Sequence, residues 1–310
     1  MAKRRKVKIG RIIIIVILLL AIISGSIFLY DLNKKKSEIK EFNVSDLNIN
    51  EIDYSESKLL PIGLNSKEYL LIRLNDFKVL YAYGNDKPIY PASLTKVLTM
   101  DVILDICDDI NETSSYTNDQ WNYLVSENAS MAGLYTDTDY TIKELLFGLI
   151  LPSGADAATA LSNYANSKGY DLIDLMNKKC TELGLVNSHF TNPTGLHDDN
   201  LYTSLDDYAK IVIDTLKKKE GKEILKTMYA EVKDKDYHST LEVLEDRDDD
   251  IKVYGGKTGF TLEAGMNIMT LYEADNRSYL LILANAEGSP YVGARSNIDD
   301  VNNVMNFLYN

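Results

Sequence analysis

The hydrophobic positions of this 310-residue chain form one long apolar run, followed by short strand-like segments on both sides of a helical middle. The strand-like segments cover residues 69–74, 78–83, 255–260, 266–272 and 279–286. Asn75 and Asp76 separate the first two segments in the way that a hairpin turn does. Because strands from both ends flank helices, the pattern predicts an α+β fold. We expect an antiparallel sheet of about five strands, flanked by helices, with an inserted all-helical subdomain.

The helical middle contains several amphipathic patterns with capping residues at their ends. Thr141 and Glu144 form a capping-box pattern, Ser204 can cap a helix over 205–217, and Gly184 can end one over 172–183. Further helices are predicted near 94–106, 145–150, 156–166, 223–229 and 297–309. The helix that follows residue 93 is apolar nearly all round, so we expect it to be buried inside the domain.

The long apolar run, residues 12–30, has the length of a membrane-spanning helix. A helix of this length spans roughly 28 Å, close to the thickness of a bilayer core. The lysines and arginines of residues 1–11 predict that the N-terminus stays inside the cell and that the remainder is exported. A cleaved signal peptide is the alternative, because Ser24-Gly25-Ser26 offers small residues for a peptidase. The apolar run continues past them and is longer than that of a usual signal peptide.

These patterns divide the chain into four parts. We expect a cytoplasmic basic tail at 1–11, a transmembrane signal-anchor at 12–30, a flexible stalk at 31–60 and a globular domain at 61–310. The sheet of that domain would come from about 61–92 and 252–310, and its helical part from about 93–251. The stalk is predicted because its residues are polar and show no periodicity. The protein would then be a single-pass cell-membrane protein whose globular domain lies outside the cytoplasm.

Composition and charge exclude several classes of function. The net charge of −13 argues against nucleic-acid binding, which requires a basic face. Cys107 and Cys180 lack the spacing of metal ligands, and their place in predicted helices favours small buried side chains, with a single disulfide left open. The three histidines show no zinc-binding spacing. We therefore expect no metal ion and no cofactor.

Candidate chemistry begins with Ser93 and Lys96 at the start of the buried helix. Residues three positions apart share a helix face, so the lysine can take the proton of the serine hydroxyl. This requires that the pKa of Lys96, about 10.4 when unperturbed, is lowered by burial, a second cation or the positive end of a helix. The S-x-x-K spacing is common by chance, and a capping serine before an exposed lysine is the simpler interpretation of it alone.

Two further motifs follow in order, Ser153-Gly154-Ala155 and Lys257-Thr258-Gly259. S-x-x-K, a second serine motif and K-T-G form the known motif set of penicillin-binding proteins and class A β-lactamases. The longer segments 91–96, 151–158, 190–196 and 256–261 extend the match. Over roughly residues 60–310 the chain resembles the serine D-alanyl-D-alanine carboxypeptidases, which are low-molecular-mass penicillin-binding proteins. The resemblance implies a β-lactamase/transpeptidase-like fold.

The resemblance also implies a reaction and three catalytic residues. Ser93 would attack the carbonyl of the penultimate D-alanine of a peptidoglycan stem pentapeptide and form an acyl-enzyme. Lys96 would take the proton of the serine, and Ser153 would reach Lys96 and help to relay a proton to the leaving D-alanine. The protein would then be a hydrolase, a serine-type carboxypeptidase of peptidoglycan biosynthesis that acts on the cell wall and on cell shape.

Four residues of the third motif would bind the substrate. Lys257 and Thr258 would hold the terminal carboxylate of the peptide, next to Gly259. Lys257 would also act as the second cation that depresses the pKa of Lys96. The backbone N–H groups of Ser93 and Phe260 would form the oxyanion hole. The implied partners are the D-alanyl-D-alanine stem peptide, β-lactam antibiotics that acylate the same serine, and the lipid bilayer around the N-terminal helix.

One position departs from the family's pattern, and it keeps two alternatives open. The second motif is usually Ser-x-Asn, whereas this chain has Ala155 at the third position. The missing amide costs roughly 1–3 kcal/mol if its partner is left unpaired. The chain could therefore be a catalytically weak, membrane-anchored peptidoglycan or β-lactam binding protein. A β-lactamase is the other alternative, although no E-x-x-L-N loop supplies the carboxylate for fast deacylation.

Other enzyme classes fit less well. A nucleotide-binding P-loop that ends in Gly256-Lys257-Thr258 would need a glycine at position 251, which is Ile251. A Ser-His-Asp hydrolase of the α/β class would need a G-x-S-x-G elbow, which the sequence lacks.

Overall fold

A computed structural model describes residues 52–245, 250–290 and 295–309 of the chain. In chain order, the first elements are β1 (Glu68–Arg73), β2 (Lys78–Tyr83), α1 (Thr95–Ile106), β3 (Thr113–Ser114), α2 (Asn118–Ser126), β4 (Tyr140–Thr141), α3 (Ile142–Ile150), α4 (Ala155–Ser167) and α5 (Leu172–Glu182). They are followed by α6 (Leu205–Lys217), α7 (Lys219–Leu225), β5 (Tyr229–Val232), β6 (Lys235–His238), β7 (Lys252–Thr261), β8 (Gly265–Ala274), β9 (Arg277–Ala286) and α8 (Ser296–Tyr309).

The main sheet has five strands in the order β2-β1-β9-β8-β7, and each neighbouring pair is antiparallel. Strands from the two ends of the chain meet where β1 pairs with β9, with Glu68 opposite Ala284. Residues 278–284 of β9 are all buried. They are buried because α8 packs on β8 and β9 while α6 packs on β1 and β9. The predicted α+β fold with a five-stranded antiparallel sheet is confirmed.

The hydrophobic core under α8 joins strands from both sides of the helical part, because Tyr69 and Leu71 of β1 belong to it. Val301, Val304 and Met305 of this helix pack with Leu281 and Leu283 of β9 in one buried cluster. Burying a side chain of this size is worth roughly 1.5–3 kcal/mol. The C-terminal helix therefore fixes the two central strands of the sheet, and with them the position of β7.

Helix α1 forms the centre of the helical part, as its apolar sequence predicts. Residues 95–103 are all buried, and the helix packs against α3, α4, α5, α6 and α7. The predicted capping box is present at Thr141, and Ser204 accepts a hydrogen bond from the N–H of Asp207 at the start of α6. A catalytic group on α1 is thus held by a rigid surrounding.

The helical part differs from the prediction in three places, the first of which is helix α2, for which the sequence predicted no helix. The helical part also contains two small sheets, β3 with β4 and β5 with β6. The helix expected near 223–229 ends at Leu225, and Tyr229 starts the β5–β6 hairpin. Val232 and Tyr237 are the buried side chains of that hairpin, and one apolar residue in each strand leaves no readable alternation.

The domain begins earlier than the predicted boundary at residue 61. Asp53 and Lys58 form parallel bridges with Lys78 and Tyr81 of β2. They satisfy backbone groups of this edge strand, for example through the N–H of Val79, which donates to the carbonyl of Asp53 at 2.9 Å. The last residues of the predicted stalk are therefore part of the folded domain.

Several predictions concern residues outside the described part. The basic tail at 1–11, the signal-anchor at 12–30 and most of the stalk lie there. Of the helices in the described ranges, none combines the length and the apolar character that a membrane crossing requires. Cys107 and Cys180 are both free thiols, so the disulfide that the sequence left open does not form, and Cys180 is buried as expected whereas Cys107 is half-buried.

Candidate active site

The structure brings Ser93 and Lys96 together at the start of α1. Residues Ala92–Leu94 form a 3-10 turn that leads directly into the helix. The Nζ atom of Lys96 donates a hydrogen bond to the Oγ atom of Ser93 across 2.9 Å. Lys96 is only 1% exposed, whereas Ser93 is half-buried and faces two cavities. The arrangement is that of a hydroxyl next to a buried amine.

Burial gives Lys96 the properties of a base near neutral pH. Removal from water disfavours the charged amine and lowers the pKa of Lys96 to about 7, although the negative charge of Asp156 opposes this shift. The sequence predicted that the charge of Lys257 lowers the pKa of Lys96. In the structure the interaction between the two charges lowers mainly the pKa of Lys257. Burial lowers the pKa of Lys257 well below its usual value, and the charge of Lys96 lowers it further. Two buried amines in one site therefore favour a state in which a proton is readily accepted.

The Asn192–Leu196 loop positions Lys96. The Nζ atom of Lys96 also donates a hydrogen bond to the carbonyl oxygen of Thr194 across 2.6 Å. The loop is closed by Asn192, whose Oδ1 accepts from the N–H groups of Thr194 and Gly195, and whose Nδ2 donates to the carbonyl of Leu196. In the sequence this segment was noted only as part of the family resemblance, and no role was predicted for it. Its role in the structure is to orient the amine.

Glycines allow two segments to press against the 3-10 turn. Gly195 has a φ of +79°, and a Cβ atom there would lie 1.9 Å from the carbonyl oxygen of Ala92. A Cβ atom at Gly259 of β7 would lie 2.7 Å from the carbonyl oxygen of Pro91 and 3.2 Å from the nitrogen of Ser93. The glycine of the K-T-G motif is therefore needed because the strand approaches the serine turn at backbone distance.

Strand β7 carries the other residues of the K-T-G motif. Lys257 is fully buried, and its Nζ donates to the carbonyl of Thr258 at 3.0 Å. The Thr258 hydroxyl bonds to the hydroxyl of Thr240 at 2.7 Å, so it points into the space between β7 and the loop that carries Thr240. The register places Lys257 opposite Met269 of β8, in the ordered interior of the sheet.

Ser153 lies between α3 and α4 in a strained conformation. Its φ is +65°, which is uncommon for a residue with a side chain. The Ser130 hydroxyl donates to the Ser153 carbonyl at 2.5 Å, and the N–H of Ala155 donates to the Ser130 carbonyl at 2.7 Å. Among the described residues, Ser153 makes no direct hydrogen bond to Lys96, although the resemblance implied that the two side chains meet. Ser153 instead shares a cavity with Ser93.

Asp156 organises the wall next to Ser153. This fully buried carboxylate accepts hydrogen bonds from four backbone N–H groups, those of Ala132, Gly133, Leu134 and Ala157. These four hydrogen bonds satisfy both oxygens of the buried carboxylate. Asp156 thus fixes the loop after Ser130 and also supplies the negative charge that acts on Lys96.

Two cavities meet at Ser93. The sheet-side cavity has a volume of about 280 Å³, and its lining includes Ser93, Ser153, Thr240, Thr258, Gly259, Phe260 and Arg295. The loop-side cavity has a volume of about 570 Å³, and its lining includes Ser93, Lys96, Asn128, Ser130, Ala155, Thr194 and Phe260. Six of the seven site residues predicted from the sequence line these two cavities, and the seventh, Lys257, is fully buried and close enough to Lys96 for the two charges to interact.

Thr240 and Arg295 are polar lining residues of the sheet-side cavity that the sequence analysis did not place in the site. Arg295 lies just before α8, and its guanidinium donates to the carbonyl of Thr240 at 3.5 Å. Both line the cavity next to Thr258. Both residues come from segments without a sequence motif, so only the three-dimensional structure shows that they belong to the site. Together with Thr258 they offer hydroxyl and cationic donors to an anionic group.

The described ranges hold no group of three or more His, Cys, Asp and Glu side chains placed to bind a metal ion. The chemistry available at this site is that of the serine, the two lysines and the surrounding hydrogen-bond donors. This set suits acyl transfer through a covalent ester.

Known proteins that resemble this chain in sequence or in fold belong to the same group of enzymes. Residues 55–288 match the sequence model of the peptidase S11 family, described as D-alanyl-D-alanine carboxypeptidase. The D-alanyl-D-alanine carboxypeptidase DacF of Bacillus subtilis is 34% identical over 152 residues, which are 49% of this chain and 39% of that protein. DacA of Haemophilus influenzae is 30% identical over 233 residues, which are 71% of this chain and 57% of that protein. The chain thus spans about half the length of these relatives.

Solved structures share the fold. The Streptomyces K15 DD-transpeptidase superposes with a TM-score of 0.72 at 22% identity, covering 80% of this chain and 98% of that one. Penicillin-binding protein 5 of Haemophilus influenzae gives a TM-score of 0.69 at 25% identity, covering 81% of this chain and 72% of that one. The expected transpeptidase-like fold is confirmed. With a family match over residues 55–288, the chain belongs to the peptidase S11 family of D-alanyl-D-alanine carboxypeptidases.

Proposed function

We propose that this protein is a serine-type D-alanyl-D-alanine carboxypeptidase that removes the terminal D-alanine from peptidoglycan stem pentapeptides. One observation carries the proposal. The Oγ atom of Ser93 lies 2.9 Å from the amine of Lys96, whose pKa burial lowers to about 7. A neutral amine at this distance can take the hydroxyl proton, which is what a serine needs to become a nucleophile.

Acylation follows from this pair. Ser93 Oγ attacks the carbonyl carbon of the penultimate D-alanine while its proton passes to Lys96 Nζ. The negative charge on the carbonyl oxygen is stabilised by the backbone N–H groups of Ser93 and Phe260, two residues that line both cavities. The C–N bond then breaks, the leaving nitrogen takes a proton by way of Ser153, and D-alanine departs. A water molecule hydrolyses the Ser93 ester and regenerates the hydroxyl.

The substrate carboxylate binds at the sheet-side cavity. Thr258 and Thr240 offer hydroxyl groups there, and Arg295 lines the same cavity with its cationic side chain. The buried Lys257, next to Thr258 in β7, contributes its positive charge to carboxylate binding. Because burial holds its pKa well below the usual value, a bound carboxylate restores the charged form by supplying a counter-ion. Binding of the peptide's terminal carboxylate is thus coupled to the protonation of Lys257.

β-Lactam antibiotics are the second class of ligand in this proposal. Their bicyclic amide resembles the D-alanyl-D-alanine terminus, so Ser93 opens the lactam ring and retains the acyl group. The release of the acyl group then requires water, and the sequence lacks the E-x-x-L-N loop whose carboxylate speeds this step in a β-lactamase. We therefore expect a long-lived penicilloyl adduct.

The location of the domain follows from the same proposal. The uncharged apolar run at 12–30 with the basic residues before it supports a single-pass anchor in the cell membrane. The catalytic domain then lies outside the cytoplasm, where peptidoglycan is found, and acts on cell-wall structure and cell shape. Extraction of cell membranes at high pH tests the anchor: the full chain stays with the lipid, whereas release into the supernatant contradicts it.

The experiment on activity uses the full chain and its Ser93→Ala variant. We expect a fluorescent penicillin to label the parent covalently and the variant not at all. The parent should also release D-alanine from a peptide that ends in D-alanyl-D-alanine. Label without D-alanine release would identify a binding protein, and rapid penicillin hydrolysis would identify a β-lactamase. Absence of label on the parent contradicts the proposal.

A further inference from the structure

The wall opposite Ser93 lacks a polar group where the family's second motif provides one. Ala155 is 1% exposed, begins α4, and lines the loop-side cavity together with Ser93 and Lys96. Its methyl group can neither donate nor accept a hydrogen bond. A peptide in this cavity would present its backbone amide to the wall, and an amide without a partner costs binding free energy.

Asn128 lines the same cavity and can supply the missing group. It is exposed, and its carboxamide makes no hydrogen bond to any described residue. Among the described residues that line the loop-side cavity, Asn128 is the only one with a carboxamide side chain. The carboxamide of Asn297, on the neighbouring sheet-side cavity, is already engaged with Asn267 and Ile298.

The position of Asn128 is fixed by the backbone. Its N–H donates to the carbonyl of Val125 at 3.1 Å, and the next N–H donates to the carbonyl of Leu124 at 3.0 Å, which ties the loop to the end of α2. Two residues later, the Ser130 carbonyl accepts the N–H of Ala155 at 2.7 Å. The loop that carries Asn128 is therefore hydrogen-bonded to Ala155, the position where the family's second motif has an asparagine.

The backbone conformation of Asn128 offers a structural reason for an asparagine as well. Its φ is +50°, a left-handed value that asparagine tolerates better than most residues. Glycine also adopts this conformation and carries no amide. A glycine variant therefore separates the backbone role of this residue from a role of its side chain.

We propose that the carboxamide of Asn128 replaces the asparagine of the second motif and binds the backbone amide of the peptide substrate. Its NH₂ group donates to the substrate carbonyl, and its oxygen accepts from the substrate N–H. This assigns a substrate-binding residue outside the three motifs. The inference rests on the proposed carboxypeptidase function, because it requires a peptide in the loop-side cavity.

The test compares Asn128→Gly and Asn128→Asp with the parent in the full chain. The first variant keeps the backbone conformation, and the second keeps the shape but loses the N–H donors. We expect kcat/KM for a D-alanyl-D-alanine peptide to fall by about tenfold in both. The unfolding temperature of Asn128→Gly should match the parent, and Ser93 should still take the penicillin label. Asn122→Ala, an exposed residue of α2 outside both cavities, serves as the control with unchanged kcat/KM.

A second variant tests the replacement itself. Adding Ala155→Asn to Asn128→Gly puts an amide back at the family's position, so we expect most of the lost kcat/KM to return. Parent-like activity of Asn128→Gly, or a double variant as slow as the single one, would overturn the inference while leaving the carboxypeptidase function intact. A parent that neither binds penicillin nor releases D-alanine would overturn the function, and this inference with it.

Discussion

The amine of Lys96 is hydrogen-bonded to the carbonyl oxygen of Thr194 across 2.6 Å, although the two residues are 98 positions apart in the chain. The same nitrogen lies 2.9 Å from Ser93 Oγ. The Asn192–Leu196 loop therefore holds the base in line with the nucleophile before any substrate arrives. Such preorganisation lowers the barrier because little has to move during reaction.

The first prediction concerns the pH dependence of acylation. Only the neutral amine of Lys96 can take the serine proton, and burial lowers its pKa to about 7. The neutral fraction therefore falls about tenfold for each pH unit below that value and is nearly constant above it. We expect the acylation rate by a fluorescent penicillin to rise with pH and level off above a midpoint near 7. A midpoint near the ordinary lysine value would contradict the lowered pKa of Lys96.

The second prediction concerns the charge of Asp156. This charge raises the pKa of Lys96, so Asp156→Asn should move the midpoint of the acylation profile to lower pH. The variant also turns an NH₂ group towards backbone N–H donors, so we expect a loss of stability of about 1–3 kcal/mol. Stopped-flow acylation and thermal unfolding measure the two effects. Asp174→Asn, at an exposed position of α5, should change neither, and a midpoint unmoved by Asp156→Asn would refute the electrostatic role.

The third prediction concerns the contact between Gly195 and Ala92. A Cβ atom at position 195 would lie 1.9 Å from the Ala92 carbonyl, so Gly195→Ala must displace the turn that carries Ser93. We expect a loss of more than about 2 kcal/mol in unfolding free energy and slower penicillin acylation.

Gly169→Ala is the matched control for this variant. Gly169 has a similar φ of +83°, but no atom lies within 4 Å of its Cβ position. It should cost only the backbone strain, about 1 kcal/mol, and leave acylation unchanged. Equal effects of the two variants would show that the contact with the serine turn is unimportant.

The fourth prediction separates the hydroxyl of Ser153 from its backbone. With a φ of +65°, the residue is strained, and Ser153→Gly should relieve roughly 1 kcal/mol of strain, whereas Ser153→Ala should not. Both variants lose the hydroxyl, so both should release D-alanine more slowly. Unfolding curves and D-alanine release measure this. If the glycine variant keeps full activity, Ser153 has no part in proton transfer.

The sequence was informative where chemistry depends on short spacings. The spacing of three residues between Ser93 and Lys96 predicts their contact, and the K-T-G motif predicts Lys257 in the same site. Thr194 and Asp156 lie in the segments that extend the family match, but their contacts could not be predicted because the partners meet only in the fold. Arg295 lies in a segment without a motif. The contribution of burial to the pKa of Lys96 also required the fold, since five helices around α1 create it.

The same distinction holds for the fold. Alternating segments at both ends predict the antiparallel sheet and the helical middle. They do not predict that β1 lies beside β9, because that pairing joins residues about two hundred positions apart. The segment around Asp53 looked like part of a polar stalk, yet its backbone pairs with β2, and backbone pairing leaves no trace in side-chain polarity.

The most direct test of the central claim is to locate the acyl group by mass spectrometry after incubation of the full chain with benzylpenicillin. We expect one penicilloyl adduct per chain, on Ser93, and none in the Ser93→Ala variant. An unmodified parent, or an adduct that persists in Ser93→Ala, would contradict the assignment of Ser93 as the nucleophile.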